Sequence, residues 1–236
     1  MNKCVIPISG GIDSSVILHH VKKQCDDIDE IYTLTFDYGQ RHDKEINCAI
    51  DQTFGNVKSH KVVDVKFLGS LFTNCSLTND EIDVAETKDV LGDPQTVNYV
   101  PNRNAIILNI CAGYAESVGA NTVFHGAALV DSEAGYWDGS FEFLQSLNTL
   151  LSLNRRDRVQ IKAPLITMSK QEIIALGLEC DVDFGNTWTC YKGEDMACGK
   201  CPACSSRIQG FIENKIIDPL VYDIDIPWEK FNCKPL

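Results

Sequence analysis

The stretch Ser9-Gly10-Gly11-Ile12-Asp13-Ser14-Ser15 has the residue types of a phosphate site. It follows the apolar run 4–8 and precedes Val16-Ile17-Leu18, which predicts a strand, a glycine-rich turn and a helix. Glycines let backbone N–H groups approach an anion, and the helix start adds the positive end of its dipole. A carboxylate such as that of Asp13 suits a divalent metal held against phosphate. The stretch therefore predicts a site for Mg²⁺ and a nucleotide; an ordinary strand-turn-helix corner is the alternative.

Four cysteines in the last quarter of the chain have the spacing of a metal site. They are Cys190, Cys198, Cys201 and Cys204, in the pattern C-x7-C-x2-C-x2-C. Four thiolates complete a tetrahedral shell and leave no open position, so the pattern predicts structural Zn²⁺, with an iron-sulfur cluster as the main alternative. The other seven cysteines share no spacing, and we expect them to be small buried or surface residues.

Two cationic residues are predicted near the starts of helices. Asn104 is expected to cap a helix, which places Arg103 at its mouth, where it can grip a carboxylate or phosphate or pair with a surface acid. Ser169 and Glu172 form a predicted capping box, so Lys170 falls in a first helical turn. The helix dipole disfavours a lysine there unless an anion holds it; simple solvation is the alternative.

The elements that must position these residues alternate along the chain. The pattern predicts a doubly wound, mostly parallel α/β sheet, because a helix over 14–24 is followed by β-branched or apolar runs at 31–36, 60–65, 121–126 and 161–165. Polar stretches at 37–42 and 131–138 follow two of these strands, at the edge where such sheets bind ligands, although solvated loops would look similar. The acidic segment 76–95 is expected to be a solvated, mobile insertion or, alternatively, a lid.

Composition limits the classes of partner. The chain has 236 residues, 44% of them hydrophobic, and a net charge of −12, which favours a small-molecule substrate over nucleic acid. No stretch reads as a signal peptide or a membrane span, so we expect a cytoplasmic protein without membrane contact. Residues 1–185 are expected to form the nucleotide-binding domain, and 186–236 a small zinc-binding region with a C-terminal helix and tail.

Five motifs together resemble a known enzyme family. Residues 9–14 resemble the PP-loop of the N-type ATP pyrophosphatases. Together with four further motifs they resemble the 7-cyano-7-deazaguanine synthases. These motifs are residues 35–42, Val100-Pro101-x-Arg103-Asn104, Pro164-Leu165 with Lys170, and the cysteine segment 189–207. The resemblance implies an adenine nucleotide alpha hydrolase-like fold. It also implies a homodimer with one structural zinc per subunit, and an ATP-dependent conversion of 7-carboxy-7-deazaguanine and ammonia into the nitrile through adenylate and amide intermediates.

The resemblance also implies roles for individual residues. Asp13, Lys170 and Arg103 would be catalytic, and Arg103, Asn104, Asp131, Tyr136 and Asp138 would bind the deazaguanine. The residues expected to bind ATP and Mg²⁺ are Ile8, Ser9, Gly10, Gly11, Ile12, Asp13, Ser14, Ser15, Tyr38 and Arg41.

The chain departs from the family pattern in two places. Asn102 replaces a glycine, and the segment from Trp137 to Ser140 lacks the family's Pro and Cys-Arg. A related ligase that stops at the amide, or transfers the acyl group to another amine, therefore stays open. The net charge of −12 argues against tRNA thiolation, and a zinc-binding module without catalysis would leave residues 9–14 unexplained.

Overall fold

The computed structural model describes residues 1–41, 44–90, 96–129, 136–156 and 158–236. Within these ranges one sheet contains five parallel strands in the order β3-β2-β1-β4-β5. The strands are β1 (Lys3–Pro7), β2 (Glu30–Asp37), β3 (Ser59–Asp64), β4 (Thr122–Phe124) and β5 (Gln160–Lys162). The strand order reverses at β1, so the topological switch point lies between β1 and β4. The predicted doubly wound parallel sheet is confirmed.

Helices cover the sheet and extend beyond it. They are α1 (Ile12–Gln24), α2 (Lys44–Thr53), α3 (Phe67–Leu71), α4 (Thr87–Val90), α5 (Arg103–Val118), α6 (Phe141–Leu151), α7 (Lys170–Glu179) and α8 (Pro202–Glu213). Short 3₁₀ turns span Trp137–Gly139, Phe184–Asn186 and Trp228–Phe231. The helix predicted over 14–24 begins two residues earlier, at Ile12, directly after the glycine pair.

Central strand β1 supplies side chains to both layers of the core. Cys4 and Ile6 belong to a buried cluster with residues of α1 and α7, whereas Val5 belongs to a second cluster with residues of α5. This division follows from the alternation of side chains along a strand. Phe211 of α8 is also in the first cluster and meets Phe184 edge to face at 5.3 Å. The domain boundary at residue 185 stays a prediction, and these aromatic rings pack across it.

The structure describes residues 76–90 of the segment expected to be a solvated, mobile insertion, and several of them pack against the rest of the protein. Ser76 and Leu77 are buried, and Val84 packs in the cluster that contains the four spaced cysteines. The backbone N–H of Thr87 donates to the carbonyl of Lys200 at 3.1 Å. The prediction of a solvated segment was wrong for Ser76, Leu77 and Val84, which the fold buries, while mobility of the segment and its role as a lid stay predictions.

A buried arginine joins α8 to the 3₁₀ turn that precedes the cysteine segment. Arg207 is 1% exposed and forms a bidentate pair with Asp218, Nε to Oδ2 at 2.6 Å and Nη2 to Oδ1 at 2.8 Å. Its remaining hydrogen bonds go to the carbonyls of Phe184 and Thr187 and to the Thr187 hydroxyl. Tyr222 donates to the same carboxylate at 2.6 Å. Such a network tolerates burial because each charge has partners.

We expect Asp218→Asn to lower the free energy of unfolding by about 3 kcal/mol, because it leaves the buried Arg207 cation without a counter-charge. Denaturant unfolding followed by circular dichroism measures the change. The matched control is Asp181→Asn, since Asp181 pairs with Lys23 at 2.6 Å but its side chain is 82% exposed. We expect the control to lose less than about 1 kcal/mol. Equal losses in the two variants would contradict a dominant role for the buried network.

Candidate active site

Tight backbone packing holds the glycine-rich loop between β1 and α1. Gly10 has φ +82°, and a Cβ on it would overlap the carbonyl oxygen of Glu45 and lie 2.8 Å from the Ala49 nitrogen. Only glycine therefore fits between this loop and α2. On the other side, a Cβ on Gly126, two residues after β4, would lie 3.3 Å from the Ser14 nitrogen. The loop is thus fixed at the switch point of the sheet.

The serines of this loop hold its shape, and one hydroxyl is left over. The Ser9 N–H donates to Ser14 Oγ at 3.1 Å, and the Gly11 N–H donates to Ser9 Oγ at 3.2 Å. Ser15 Oγ is buried and has no hydrogen-bond partner among the described residues. The N–H groups of the first helical turn also lack intrahelical acceptors. Together with the dipole of α1, these donors suit the oxygen atoms of a phosphate.

Asp13 and Lys170 come together from opposite parts of the chain. Lys170 Nζ lies 2.5 Å from Asp13 Oδ1, with the side chains 14% and 29% exposed. The predicted capping box is present, since Ser169 Oγ accepts from the Glu172 N–H at 3.3 Å and the Glu172 carboxylate accepts from the Ser169 N–H at 2.8 Å. The stem of Lys170 packs closely on Gly210 of α8. A cation at this helix start is offset by the Asp13 carboxylate.

Arg103 begins α5 and lies beside Tyr38, the residue after β2. Arg103 Nη1 is 3.4 Å from the Tyr38 hydroxyl, and the guanidinium lies 5.9 Å from the centre of its ring. Burial raises the pKa of Tyr38 to about 12, so the phenol is neutral. Burial also raises the pKa of Asp138, and the nearby positive charge of Arg103 opposes that shift. Tyr38 and Arg103 line a small cavity at the carboxyl edge of the sheet, and together with the buried Asp138 they make up the Arg103 pocket.

Asn104 lies in this pocket but does not cap α5. The capping position is Asn102, with φ +54°, and the Asn104 side chain donates to the Asp138 carbonyl at 3.2 Å. The prediction of Asn104 as the cap was wrong because the helix begins at Arg103, two residues earlier than a cap at Asn104 implies. A left-handed φ is open to glycine and, among other residues, most readily to asparagine. Asn102 therefore keeps the backbone conformation that a glycine would adopt there.

Aromatic residues pack against one another in the segment next to Asp138. Tyr136 stacks on Tyr99 with ring centres 6.2 Å apart, and Trp137 Nε1 donates to the Tyr99 hydroxyl at 2.9 Å. Trp137 also meets Phe143 edge to face at 5.5 Å. The structure thus brings Arg103, Asn104, Tyr136 and Asp138 into one region, whereas Asp131 lies outside the described residues.

Arg41 has protein partners. Its Nη2 donates to the carbonyls of Asn79 and Ile82, each at 2.7 Å, and its Nε lies 3.0 Å from the carboxylate of Asp80. These contacts fix the segment that follows Leu77 against the end of β2. A role for Arg41 toward a nucleotide stays a prediction.

Two residues that we did not select from the sequence lie at this edge. His125 follows β4 directly, and its Nε2 is buried without a hydrogen-bond partner among the described residues. Burial, with a smaller contribution from Arg103, lowers its pKa to about 4. Thr189 lies beside Gly11, and its hydroxyl is likewise buried and unpartnered within the described ranges. In the sequence, only their positions could have indicated them: His125 is a polar residue at the end of a strand, and Thr189 is a polar residue next to Cys190.

The four spaced cysteines form a buried cluster. The sulfur atoms of Cys190, Cys198, Cys201 and Cys204 all lie within 4.8 Å of one another. The N–H of Cys198 donates to Cys190 Sγ at 3.3 Å, and the N–H groups of Lys200 and Cys201 donate to Cys198 Sγ at 3.4 and 3.3 Å. Thiolates that accept backbone N–H groups and converge on one point fit a metal ion. The cluster has the donor set of a four-thiolate metal site.

The segment that carries the four cysteines, residues 188–204, hydrogen-bonds directly to the glycine-rich loop 8–11, the proposed phosphate loop. The Trp188 N–H donates to the Gly10 carbonyl at 2.9 Å, and its Nε1 donates to the Cys190 carbonyl at 3.0 Å. Lys44 of α2 donates to the carbonyls of Glu194 and Asp195, each at 2.8 Å. Trp188 therefore links the cysteine cluster to the phosphate loop.

None of the helices that the structure describes is both long enough and apolar enough to cross a membrane.

Known proteins resemble this chain over nearly its whole length. The family model described as queuosine biosynthesis protein QueC matches residues 3–215. Two curated relatives are 7-cyano-7-deazaguanine synthase 1 of Colwellia psychrerythraea, 39% identical over 94% of this chain and 99% of the relative, and 7-cyano-7-deazaguanine synthase of Alteromonas mediterranea, 40% identical over 93% and 98%.

A solved structure shares the fold. NMN synthetase from Francisella tularensis superimposes with a TM-score of 0.51 at 13% identity, over 97% of this chain and 81% of that one. At this identity the likeness concerns the fold alone. The sequence matches carry the assignment: the chain belongs to the queuosine biosynthesis protein QueC family.

Proposed function

We propose that this chain is an ATP-dependent carbon-nitrogen ligase that converts 7-carboxy-7-deazaguanine and ammonia into 7-cyano-7-deazaguanine. Family membership supports this activity, since its curated relatives bear that synthase name. The observation that carries the proposal is the pair of Asp13 and Lys170 at the phosphate loop, with the Arg103 pocket at the same edge of the sheet. An acyl-adenylating enzyme needs anion-binding donors, a cation and a substrate pocket close together.

The phosphate loop would bind ATP with Mg²⁺. The unpartnered hydroxyl of Ser15 and the N–H groups at the start of α1 fit phosphate oxygen atoms. The carboxylate of Asp13 would hold Mg²⁺, and Lys170 would then face the α-phosphate and neutralise the charge that develops there. Ile8, Gly10, Gly11, Ile12 and Tyr38 would shape the walls of this site.

In the proposed reaction an oxygen of the substrate carboxylate attacks the α-phosphorus of ATP, giving the acyl adenylate and pyrophosphate. Ammonia then displaces AMP and loses a proton, which leaves the amide. The amide oxygen attacks a second ATP in the same way, and departure of AMP with loss of protons leaves the nitrile. Arg103 would orient the carboxylate, while Asn104, Asp131, Tyr136 and Asp138 would hold the heterocycle.

A second candidate function is a related ligase that stops at the amide or passes the acyl group to another amine. The 3₁₀ turn Trp137–Gly139 favours it, because Trp137 is 43% exposed next to the pocket where the family has Pro. An exposed aromatic surface at a substrate entrance can accept a different amine donor.

The proposal extends to the metal, the oligomeric state and the location of the protein. The metal in the cysteine cluster would be structural Zn²⁺, since four cysteines leave no open coordination position. The active form would be a homodimer that works in the cytoplasm on a small-molecule substrate and ammonia, without nucleic acid or membrane.

We expect Asp13→Asn and Lys170→Met each to reduce the release of pyrophosphate from ATP by about 100-fold or more, because each removes a charge that acts on the phosphates. The assay follows pyrophosphate and AMP in the presence of 7-carboxy-7-deazaguanine. Asp181→Asn removes a charge from the surface pair with Lys23 and serves as the matched control, with unchanged turnover expected. Near-wild-type turnover in Asp13→Asn, with the fold intact, would contradict the assignment.

We expect Cys201→Ser to lose bound metal and to unfold at a lower temperature, because a structural zinc contributes directly to folding. Metal content by mass spectrometry and thermal unfolding by circular dichroism measure both effects. Cys233→Ser is the control, since Cys233 lies outside the cluster. Zinc retained at the wild-type level in Cys201→Ser, or iron with a cluster absorption band in the wild type, would argue against the assignment.

A further inference from the structure

His125 occupies a defined position at the switch point of the sheet. Its backbone N–H donates to the carbonyl of Lys162 at 2.8 Å, which continues the pairing of β4 with β5. The next residue, Gly126, lies against the backbone of Asp13 and Ser14 at the start of α1. His125 therefore stands where open α/β sheets bind their ligands, next to the phosphate loop and close enough to Arg103 to feel its charge.

One ring nitrogen of this histidine lacks a partner. Within the described ranges nothing hydrogen-bonds to Nε2 of His125, although the atom is buried. Buried polar atoms are paired in the great majority of cases, so an unpaired one at a ligand edge suits a partner that the ligand brings. The residue as a whole is only half-buried, so part of it stays accessible at this edge of the sheet.

The charge of the ring limits the kind of ligand group that it suits. Burial and the neighbouring Arg103 lower the pKa of His125 to about 4, so the imidazole is neutral at pH 7. A neutral imidazole has one donor and one acceptor nitrogen, whereas Arg103 has donors and a full positive charge. The arginine suits a carboxylate and the histidine suits an uncharged N–H or carbonyl group.

We propose that His125 is a specificity-determining residue whose Nε2 hydrogen-bonds the uncharged polar edge of the substrate heterocycle, while Arg103 pairs with its carboxylate. This inference rests on the proposed function, because it takes the ligand to be a carboxylated, guanine-like heterocycle. Such a ring carries amino, N–H and carbonyl groups along one edge. A site that supplies the matching hydrogen bond discriminates strongly against rings that lack the group.

Two substitutions separate hydrogen bonding from packing. His125→Met fills a similar volume without the polar nitrogen, and His125→Gln restores a polar atom near the position of Nε2. For His125→Met we expect the KM and Kd for 7-carboxy-7-deazaguanine to rise roughly tenfold, as one lost hydrogen bond predicts. The KM for ATP should stay the same, and His125→Gln should recover part of the loss. Kinetics and isothermal titration calorimetry without ATP give these values.

His60 provides a matched control. It is also a histidine with a buried Nε2 that lacks a partner among the described residues, and burial lowers its pKa. It lies near the start of β3, away from the carboxyl edge, with its Nδ1 2.9 Å from Thr33 Oγ1. His60→Met should leave both KM values unchanged.

The outcomes distinguish this inference from the proposed function. An active His125→Met variant with wild-type affinity for the heterocycle would overturn the inference and leave the proposed function intact. Equal rises in KM for ATP and heterocycle, unrepaired in His125→Gln, would show a structural role and overturn it as well. A wild-type chain that does not use 7-carboxy-7-deazaguanine would overturn both.

Discussion

The shared geometry of the sheet, the phosphate loop and the cysteine cluster depends on the hydrogen bonds of the buried Arg207 guanidinium. It lies one helical turn after Cys204 and bonds the carbonyls of Phe184 and Thr187. The residue after Thr187, Trp188, donates to Gly10 of the phosphate loop. Displacing this arginine would therefore move one cysteine of the cluster and one wall of the active site together.

The charges of the site are balanced within the protein itself. The overall charge is −12, yet Lys170 and Arg103 both lie at the carboxyl edge of the sheet, each half-buried beside a polar partner. Asp13 holds Lys170 at the phosphate loop, and Asp138 and Tyr38 surround Arg103. Positions fixed in advance lower the cost of ordering these long side chains when an anionic ligand binds. The neutral His125 adds a polar group that does not compete for that anion.

The sequence was informative where the signal is local. Strands appear as β-branched runs, the capping box of Ser169 lies within four residues, and three of the cluster cysteines lie within seven. It was less informative where partners are distant in the chain: Lys170 is 157 residues from Asp13, and no periodicity reports that pair. The start of α5 was misplaced by two residues because Asn102, in a left-handed conformation, and Asn104 have the same residue type. The packing of residues 76–90 was missed because it depends on Val84 and Thr87 meeting the cysteine segment.

The identity of the final product is the most direct test of the proposed nitrile-forming reaction. Purified protein is given 7-carboxy-7-deazaguanine, an ammonium salt and Mg²⁺-ATP, and the products are identified by mass spectrometry. We expect 7-cyano-7-deazaguanine together with AMP and pyrophosphate, which would show that the segment from Trp137 to Ser140 is compatible with both activation steps. Amide alone, or an adenylate that does not react further, would contradict nitrile formation and direct attention to another amine acceptor.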